Sequence, residues 1–349
     1  MAESVRNKTC TMKVLVISNM FPSPTDPATG VFVAEQVESL RESMEVKVVA
    51  RRQGTLGGYP EFMHSAFAAT RQNPGWLVHA HYGFHSALVA LLFAKAPVIT
   101  TFHGSDALEE PFRNRLYWLL QRHTVLKSTR IIAVSHQIKR KLVSEFGADQ
   151  ERVDVIPCGV DTRKFRPIPQ CEARSILGLS TDMRMVLFLG RLVPEKGLED
   201  IRLVAEELPQ HLFYLLGNGT SRWVSPNCRF TGPVPHLDVP YWLNAADLLV
   251  LPSYTEGTPV AIMEAMACGT PVVASRVGAC EDMIVEGVTG FLTGPGDPRS
   301  LVAAIEAITD VGGCPSLNPE LARQTAVENY DIRHIAGRLR NTYEAASHT

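Results

Sequence analysis

The sequence predicts an α/β protein made of two doubly wound, Rossmann-like domains facing a central cleft. Three observations carry this expectation. Short apolar runs alternate with amphipathic stretches along the chain. The alternation pauses at Pro157–Gln170, where Pro157, Gly159, Pro167 and Pro169 cluster, and then restarts. The length of 349 residues suits two domains of roughly 100–200 residues each, with the boundary near residue 165.

In the first half, Val14–Ile17, Val46–Ala50, Trp76–Ala80, Val98–Thr101, Ile131–Val134 and Val153–Ile156 are β-rich and apolar throughout, the pattern of strands buried on both faces. Helical periodicity fills the intervals at Val31–Arg41, Glu61–Arg71, Phe84–Phe93, Phe112–Leu126 and His136–Phe146. Ser135 is placed to cap the last of these and Gly147 to end it. In the second half, Met185–Leu189, Leu212–Leu216, Asp247–Leu251 and Val272–Ala274 read as strands. Leu198–Leu208, Pro259–Cys268 and Ser300–Ile308 read as helices.

The net charge of −2 argues against a dedicated nucleic-acid binder, which normally carries a large basic excess. It conceals an asymmetry. Residues 1–165 hold 20 Lys and Arg against 15 Asp and Glu, whereas residues 166–349 hold 14 against 21. Seven scattered cysteines with no Cys-x-x-Cys pair suggest a reducing compartment, hence a cytoplasmic protein. Met1–Met12 lacks the apolar core of a signal peptide, and Ala87–Ala94 is too short to span a bilayer, which takes about 20 residues.

Open α/β sheets bind ligands at the carboxyl ends of their strands, so the residues following each strand are the candidate site. After Leu251 comes Tyr254–Pro271. Here Thr258 is a candidate N-cap, Pro259 fits the first helical position, and Gly269 closes the helix. Such a helix end offers free N–H groups to an anion. Glu256 and Glu264, eight positions apart, suit sugar hydroxyls, which donate to charged acceptors. An alternative has Glu256 complementing the helix dipole and Glu264 on a solvated face.

After Leu189, Gly190-Arg191 and Lys196-Gly197 place a guanidinium fork and an ammonium on a glycine-flanked turn suited to phosphate. Lys196 is the only lysine among residues 166–349, which also contain 13 arginines, so a merely solubilising role is a poor account of it. After Thr101, His103 is expected to project into the cleft, with Asp106 beside it. Gly30 opens the helix after the first strand and permits close backbone approach. Its loop is not Gly-x-Gly-x-x-Gly, against a dinucleotide site there. Gly217-Asn-Gly219 follows another strand and carries little information alone.

Together, Glu256–Glu264, Gly190–Gly197, His103–Asp106, Val155–Asp161, Asp247–Ser253 and Glu286–Phe291 resemble family 4 glycosyltransferases, in order, from about residue 13 to 346. The resemblance implies a GT-B fold. Residues 1–165 would form the acceptor side, 166–330 the nucleotide-sugar domain, and 331–349 a helix crossing back. It implies that Arg191 and Lys196 hold a diphosphate, and that Glu264 binds ribose hydroxyls. Glu256 would bind sugar hydroxyls, with Gly257, Thr258, Pro259 and Val260 contributing backbone. Gly30 would lie near the phosphates, His103 at the sugar's reacting face and Val234 beside the base, with Asp106 and Gly217 behind them. It further implies transfer with retained anomeric configuration.

No two Asp are two apart, so the Asp-x-Asp metal motif of the other major glycosyltransferase fold is absent. No metal or other cofactor is expected. Four departures stand out. Cys158 replaces the usual Asn in what reads as a linker. About 12 residues join Gly219 to Thr231, so a helix is trimmed there. The stretch between Ala50 and Trp76 is compact. His236 lies where some GDP-sugar enzymes place an acidic base-reader, favouring UDP. A GT-B-fold sugar-nucleotide epimerase and a non-catalytic sugar-nucleotide binder are the alternatives. A dehydrogenase is disfavoured because neither half opens with the glycine-rich dinucleotide turn. Finally, Phe112–Lys127 carries Arg113, Arg115, Arg122 and Lys127 among Leu116, Tyr117, Trp118, Leu119 and Leu120, with a further basic run at Lys139–Lys141. These suit peripheral contact with the inner face of an anionic membrane, or a domain helix with solvated cations.

Overall fold

The computed structural model describes residues 12–23, 29–51, 58–220, 222–310 and 313–348. It contains two six-stranded sheets, parallel throughout. The first has order β2-β1-β3-β4-β5-β6, from β1 (Lys13–Ser18), β2 (Glu45–Ala50), β3 (Leu77–His81), β4 (Val98–Phe102), β5 (Arg130–Ala133) and β6 (Val153–Val155). The second has order β12-β11-β10-β7-β8-β9. Its strands are β7 (Arg184–Leu189), β8 (His211–Leu216), β9 (Cys228–Gly232), β10 (Leu248–Leu251), β11 (Val272–Ser275) and β12 (Gly290–Thr293). Each sheet starts in its middle and turns back, so each has a switch point where a crevice opens at the strand ends.

Both faces of the first sheet are covered. Val14 and Val16 of β1 point to one side and pack with Ile335, Leu339 and Tyr343 of the final helix, Ile332–Ser347. Leu15 and Ile17 point to the other side, against Phe62 and Ala66 of the helix Gly58–Gln72. That two-sided burial explains the unbroken apolar runs. The final helix begins where Asp331 pairs with Val160 in an isolated parallel bridge, and Tyr343 Oη lies 2.7 Å from Nδ1 of the buried His79.

The helices Val31–Arg41 and His136–Phe146 match their expected bounds, and Ser135 Oγ accepts from the Ile138 N–H at 3.3 Å. Three expectations need correction. The stretch expected as Phe84–Phe93 begins with a π-turn, Gly83–Ala87, before the helix Leu88–Phe93. The stretch expected as Phe112–Leu126 is broken at Asn114, whose side chain caps the helix Arg115–Lys127 by accepting from the Tyr117 N–H. β9 and β12 are strands that apolar periodicity did not reveal, because both are edges with half-exposed positions. No helix joins β8 to β9 among the described residues, as the short connection implied. Residues 52–57 and 24–28, which contain parts of the compact segment and of the loop before Gly30, lie outside the described residues.

Candidate active site

The site forms where strand ends of the two sheets meet. On the second sheet, β7 leads into Gly190–Val193 and a single 3-10 turn, Pro194–Lys196. Gly217, at the end of β8, lies so close that a Cβ there would sit 1.8 Å from the Gly190 carbonyl oxygen. The Leu192 N–H donates to the Asn218 carbonyl at 2.7 Å. The Gly217-Asn-Gly219 segment therefore braces the Arg191 turn from behind. Arg191 is exposed and pairs with no carboxylate among the described residues. Lys196 Nζ instead lies 2.6 Å from Glu256 Oε1, which also accepts from Ser253 Oγ at 2.7 Å.

The helix after β10 is Val260–Cys268, ended by Gly269 in the left-handed conformation as expected. Its start corrects the reading of Thr258 and Pro259. Pro259 occupies the capping position, and no side chain caps the helix. The Thr258 hydroxyl donates instead to the Val134 carbonyl on the first sheet's side. The N-terminal N–H groups of this helix thus keep no side-chain partner, and the threonine ties the two halves together.

A second tie lies next to it. A Cβ on Gly257 would sit 1.9 Å from the His103 carbonyl oxygen, and one on Gly104 would sit 3.2 Å from Gly257 Cα. Two backbones touch there because neither has a side chain. The contact brings His103 to the end of Glu256–Val260. Asp106, fully buried, accepts from the N–H groups of Gly83, His103 and Gly104 at 2.9–3.0 Å. Burial pushes its carboxyl up to about 6, against those three donors. Its place is behind His103, joining the turns after β3 and β4.

The imidazole of His103 packs between Phe32 and Tyr82, with ring centroids 5.0 and 5.2 Å away. Its Nε2 lies 3.0 Å from His81 Nδ1, and its Nδ1 lies 3.9 Å from Cys158 Sγ. Burial holds the pKa of His103 well below the usual histidine range. Tyr82 is the only described non-glycine residue with positive φ, at 81°, a strained conformation of the kind that collects at functional sites.

Glu264 is only 4% exposed and lies 2.7 Å from His236 Nε2, so the solvated-face alternative is overturned. His236 Nδ1 is 3.1 Å from Glu35 Oε1 on the helix Val31–Arg41. Lys164 Nζ reaches both, at 3.1 Å from Glu35 and 2.6 Å from His236. Burial disfavours a charge on His236, but the flanking Glu264 and Glu35 carboxylates outweigh it and raise the imidazole to about 9, so a protonated Nε2 faces Glu264. Val234 is half-buried against the core of the second sheet. Gly30 caps the helix Val31–Arg41 in the left-handed conformation, pressed against the Met20–Phe21 backbone.

Sequence reasoning missed Tyr82, His81 and the place of Cys158. His79 and His81 alternate on β3, so period-two reading puts them on one face, and that signal pointed toward His103. Cys158 is not a remote linker residue: it is buried against the His103 ring. Among the described residues, no group of three His, Cys, Asp or Glu side chains converges as a metal-ligand set.

The comparisons with known proteins give the family and the fold. Residues 48–164 match the pattern of Glycosyltransferase Family 4, and residues 183–310 that of Glycosyl transferases group 1. A D-inositol 3-phosphate glycosyltransferase of Frankia alni is 32% identical over 280 residues, covering 69% of this chain and 68% of that protein. This chain belongs to the family 4, group 1 glycosyltransferases. A Bacillus subtilis protein named for teichuronic acid biosynthesis as the glycosyltransferase TuaC is 27% identical, covering 97% of this chain and all of its own length. Among solved structures, sucrose-phosphate synthase of Thermosynechococcus elongatus superposes with a TM-score of 0.81 at 21% identity, over 95% of this chain and 98% of that one. Anabaena HepE, in complex with UDP and glucose, gives 0.78 at 20% identity, over 96% of this chain and all of that one. The fold is GT-B, and the chain is a glycosyltransferase of this family.

Proposed function

We propose that this glycosyltransferase moves a sugar from a UDP-sugar to a hydroxyl acceptor with retention at the anomeric carbon and without a metal ion. The observation that carries the reading is the contact of Gly257 with His103–Gly104, which joins the Lys196–Glu256 pair to the buried imidazole in one site. A diphosphate entering there meets Arg191, which no described carboxylate neutralises, and Lys196. It also meets the uncapped start of the helix Val260–Cys268. As phosphate oxygens take over Lys196, Glu256 is released to accept from sugar hydroxyls. Glu264, deep and bonded to His236, is the ribose acceptor, and Val234 lies beside the base. That HepE is described in complexes with UDP supports uridine over guanosine.

Leaving-group charge is the main demand of such a reaction, and two cations and a helix terminus supply it where a divalent ion otherwise would. The carboxylates nearby are poor covalent nucleophiles. Glu256, once released from Lys196, is still held by Ser253 and by the sugar hydroxyls it accepts from, and Asp106 is saturated by three N–H donors. Attack by the acceptor from the leaving-group face accounts for retention without an enzyme-bound intermediate. Incubation with an α-configured UDP-sugar in EDTA, followed by proton NMR of the product, tests both statements. The expected product is α, formed at an undiminished rate. A β product refutes retention. Loss of turnover in EDTA, restored by magnesium or manganese, refutes metal independence.

A second reading concerns the acceptor side. The helix Arg115–Lys127 buries Gln121, Thr124 and Val125 and turns Leu116, Leu119 and Leu126 outward, with Arg113, Arg115, Arg122 and Lys127 around them. Leu116 is 60% exposed. This inversion of the usual pattern supports an anionic bilayer surface as the resting place of the acceptor side. Lys139 takes no part, since its ammonium donates to the Val153 carbonyl.

A further inference from the structure

We propose that His81 is a positioning residue that fixes the His103 ring as the Nδ1–H tautomer, so that His103 meets the sugar as a hydrogen-bond donor and not as a base. This rests on the placement of His103 at the donor sugar.

The 3.0 Å contact between His81 Nδ1 and His103 Nε2 holds one proton. If His103 Nε2 donated it, neutral His81 would carry its own proton on Nε2. That atom is buried and has no partner among the described residues. His79, whose ring lies 4.2 Å from that of His81 at a tilt of 39°, offers no acceptor, because its Nδ1 and Nε2 are engaged by Tyr343 Oη and Thr101 Oγ1 at 2.7 Å each. An orphaned buried N–H is rarer and costlier than a bare acceptor lone pair. The proton therefore belongs to His81 Nδ1, leaving a bare lone pair at its Nε2. Placing a second proton on either ring is opposed by burial, which lowers His81 to about 3.

With its Nε2 accepting from His81, neutral His103 carries its proton on Nδ1. That nitrogen faces Cys158 Sγ at 3.9 Å, a weak and distant acceptor that leaves the N–H available to a ligand oxygen. Burial also pushes the Cys158 thiol up to about 12, so no thiolate competes for the proton. The partner chemistry that fits is an oxygen lone pair, on a sugar hydroxyl or on the bond to the leaving phosphate.

Selective ¹⁵N-histidine labelling and long-range ¹H–¹⁵N correlation spectra of the free enzyme read the tautomer directly, with His103 assigned by its loss in His103→Phe. The wild-type ring should show a protonated Nδ1 and an accepting Nε2. His81→Asn, whose amide N–H sits near the place of the lost Nδ1–H, should preserve that form. His81→Leu removes the donor that selects one form, so His103 should exchange between the Nδ1–H and Nε2–H forms and turnover should fall at least tenfold, leaving the Kd for UDP within about twofold. A wild-type His103 protonated at Nε2 overturns the proposal. So does a folded His81→Leu enzyme with an unchanged His103 tautomer. Should His81→Leu not fold, the wild-type and His81→Asn spectra decide. Adding a panel of UDP-sugars to the same sample is a separate readout: if no sugar moves the His103 resonances, the placement of His103 at the donor is wrong, and the tautomer result stands alone.

Discussion

Three buried imidazoles and one buried carboxylate set the behaviour of the core beside the first sheet. Burial lowers His79, His81 and His103 far below their values in an unfolded chain, where they titrate near 6.5. The unfolded state then binds up to three protons that the folded state refuses, and stability falls as pH drops below about 6.5. Asp106 opposes this with one proton, being raised to about 6 when folded. The three imidazoles outnumber the one carboxyl, so acid destabilises the fold on balance. Urea unfolding at pH 7.5 and 5.5 should show the midpoint moving sharply down in acid; an unchanged midpoint contradicts the buried, neutral cluster. At this scale the sequence pointed to His103, Glu256, Glu264, Arg191 and Lys196 through their spacing after strands. It did not show that Thr258 abandons its helix for the Val134 carbonyl, or that Cys158 faces His103. Both depend on where a distant backbone lies, which no local pattern encodes.

Among elements, the helix Ile332–Ser347 depends on the residue that caps it, Asp331. Asp331 is buried, accepts from the Arg333 N–H at 3.0 Å and from Arg333 Nη2 at 2.6 Å, and takes the Thr162 hydroxyl as well. Burial alone would raise its carboxyl, but these donors hold it well below the usual carboxylate range. The contribution is therefore complete above about pH 4 and fades only below that. Asp331→Ala should cost about 2–3 kcal/mol, from the lost cap and a stranded buried hydroxyl. Denaturant unfolding at neutral pH measures it, and a cost under about 0.5 kcal/mol contradicts the assignment. Buried strands and long helices were legible because their periodicity is strong. The edges β9 and β12, the π-turn at Gly83 and the break at Asn114 were not, since short half-exposed segments and local irregularities leave no periodic trace.

For the whole molecule, the uneven charge of the two halves gains a structural meaning. Lys164 and Glu35 from the basic half meet His236 and Glu264 from the acidic half, so the helix Val31–Arg41 is wired to the carboxylate proposed for ribose. The remaining basic excess surrounds the exposed leucines of Arg115–Lys127. Flotation with phosphatidylglycerol-rich liposomes should carry the protein upward at low salt and release it at high salt; no binding at low salt removes the membrane reading. The donor site itself is tested most directly by calorimetric titration of UDP, in EDTA, into the wild type, Glu264→Ala and Lys196→Ala. Each variant should bind UDP about 10- to 100-fold more weakly than the wild type, a loss of about 1.4–2.8 kcal/mol. Unchanged affinity in both variants would contradict the assignment of the cleft as a nucleotide-sugar site.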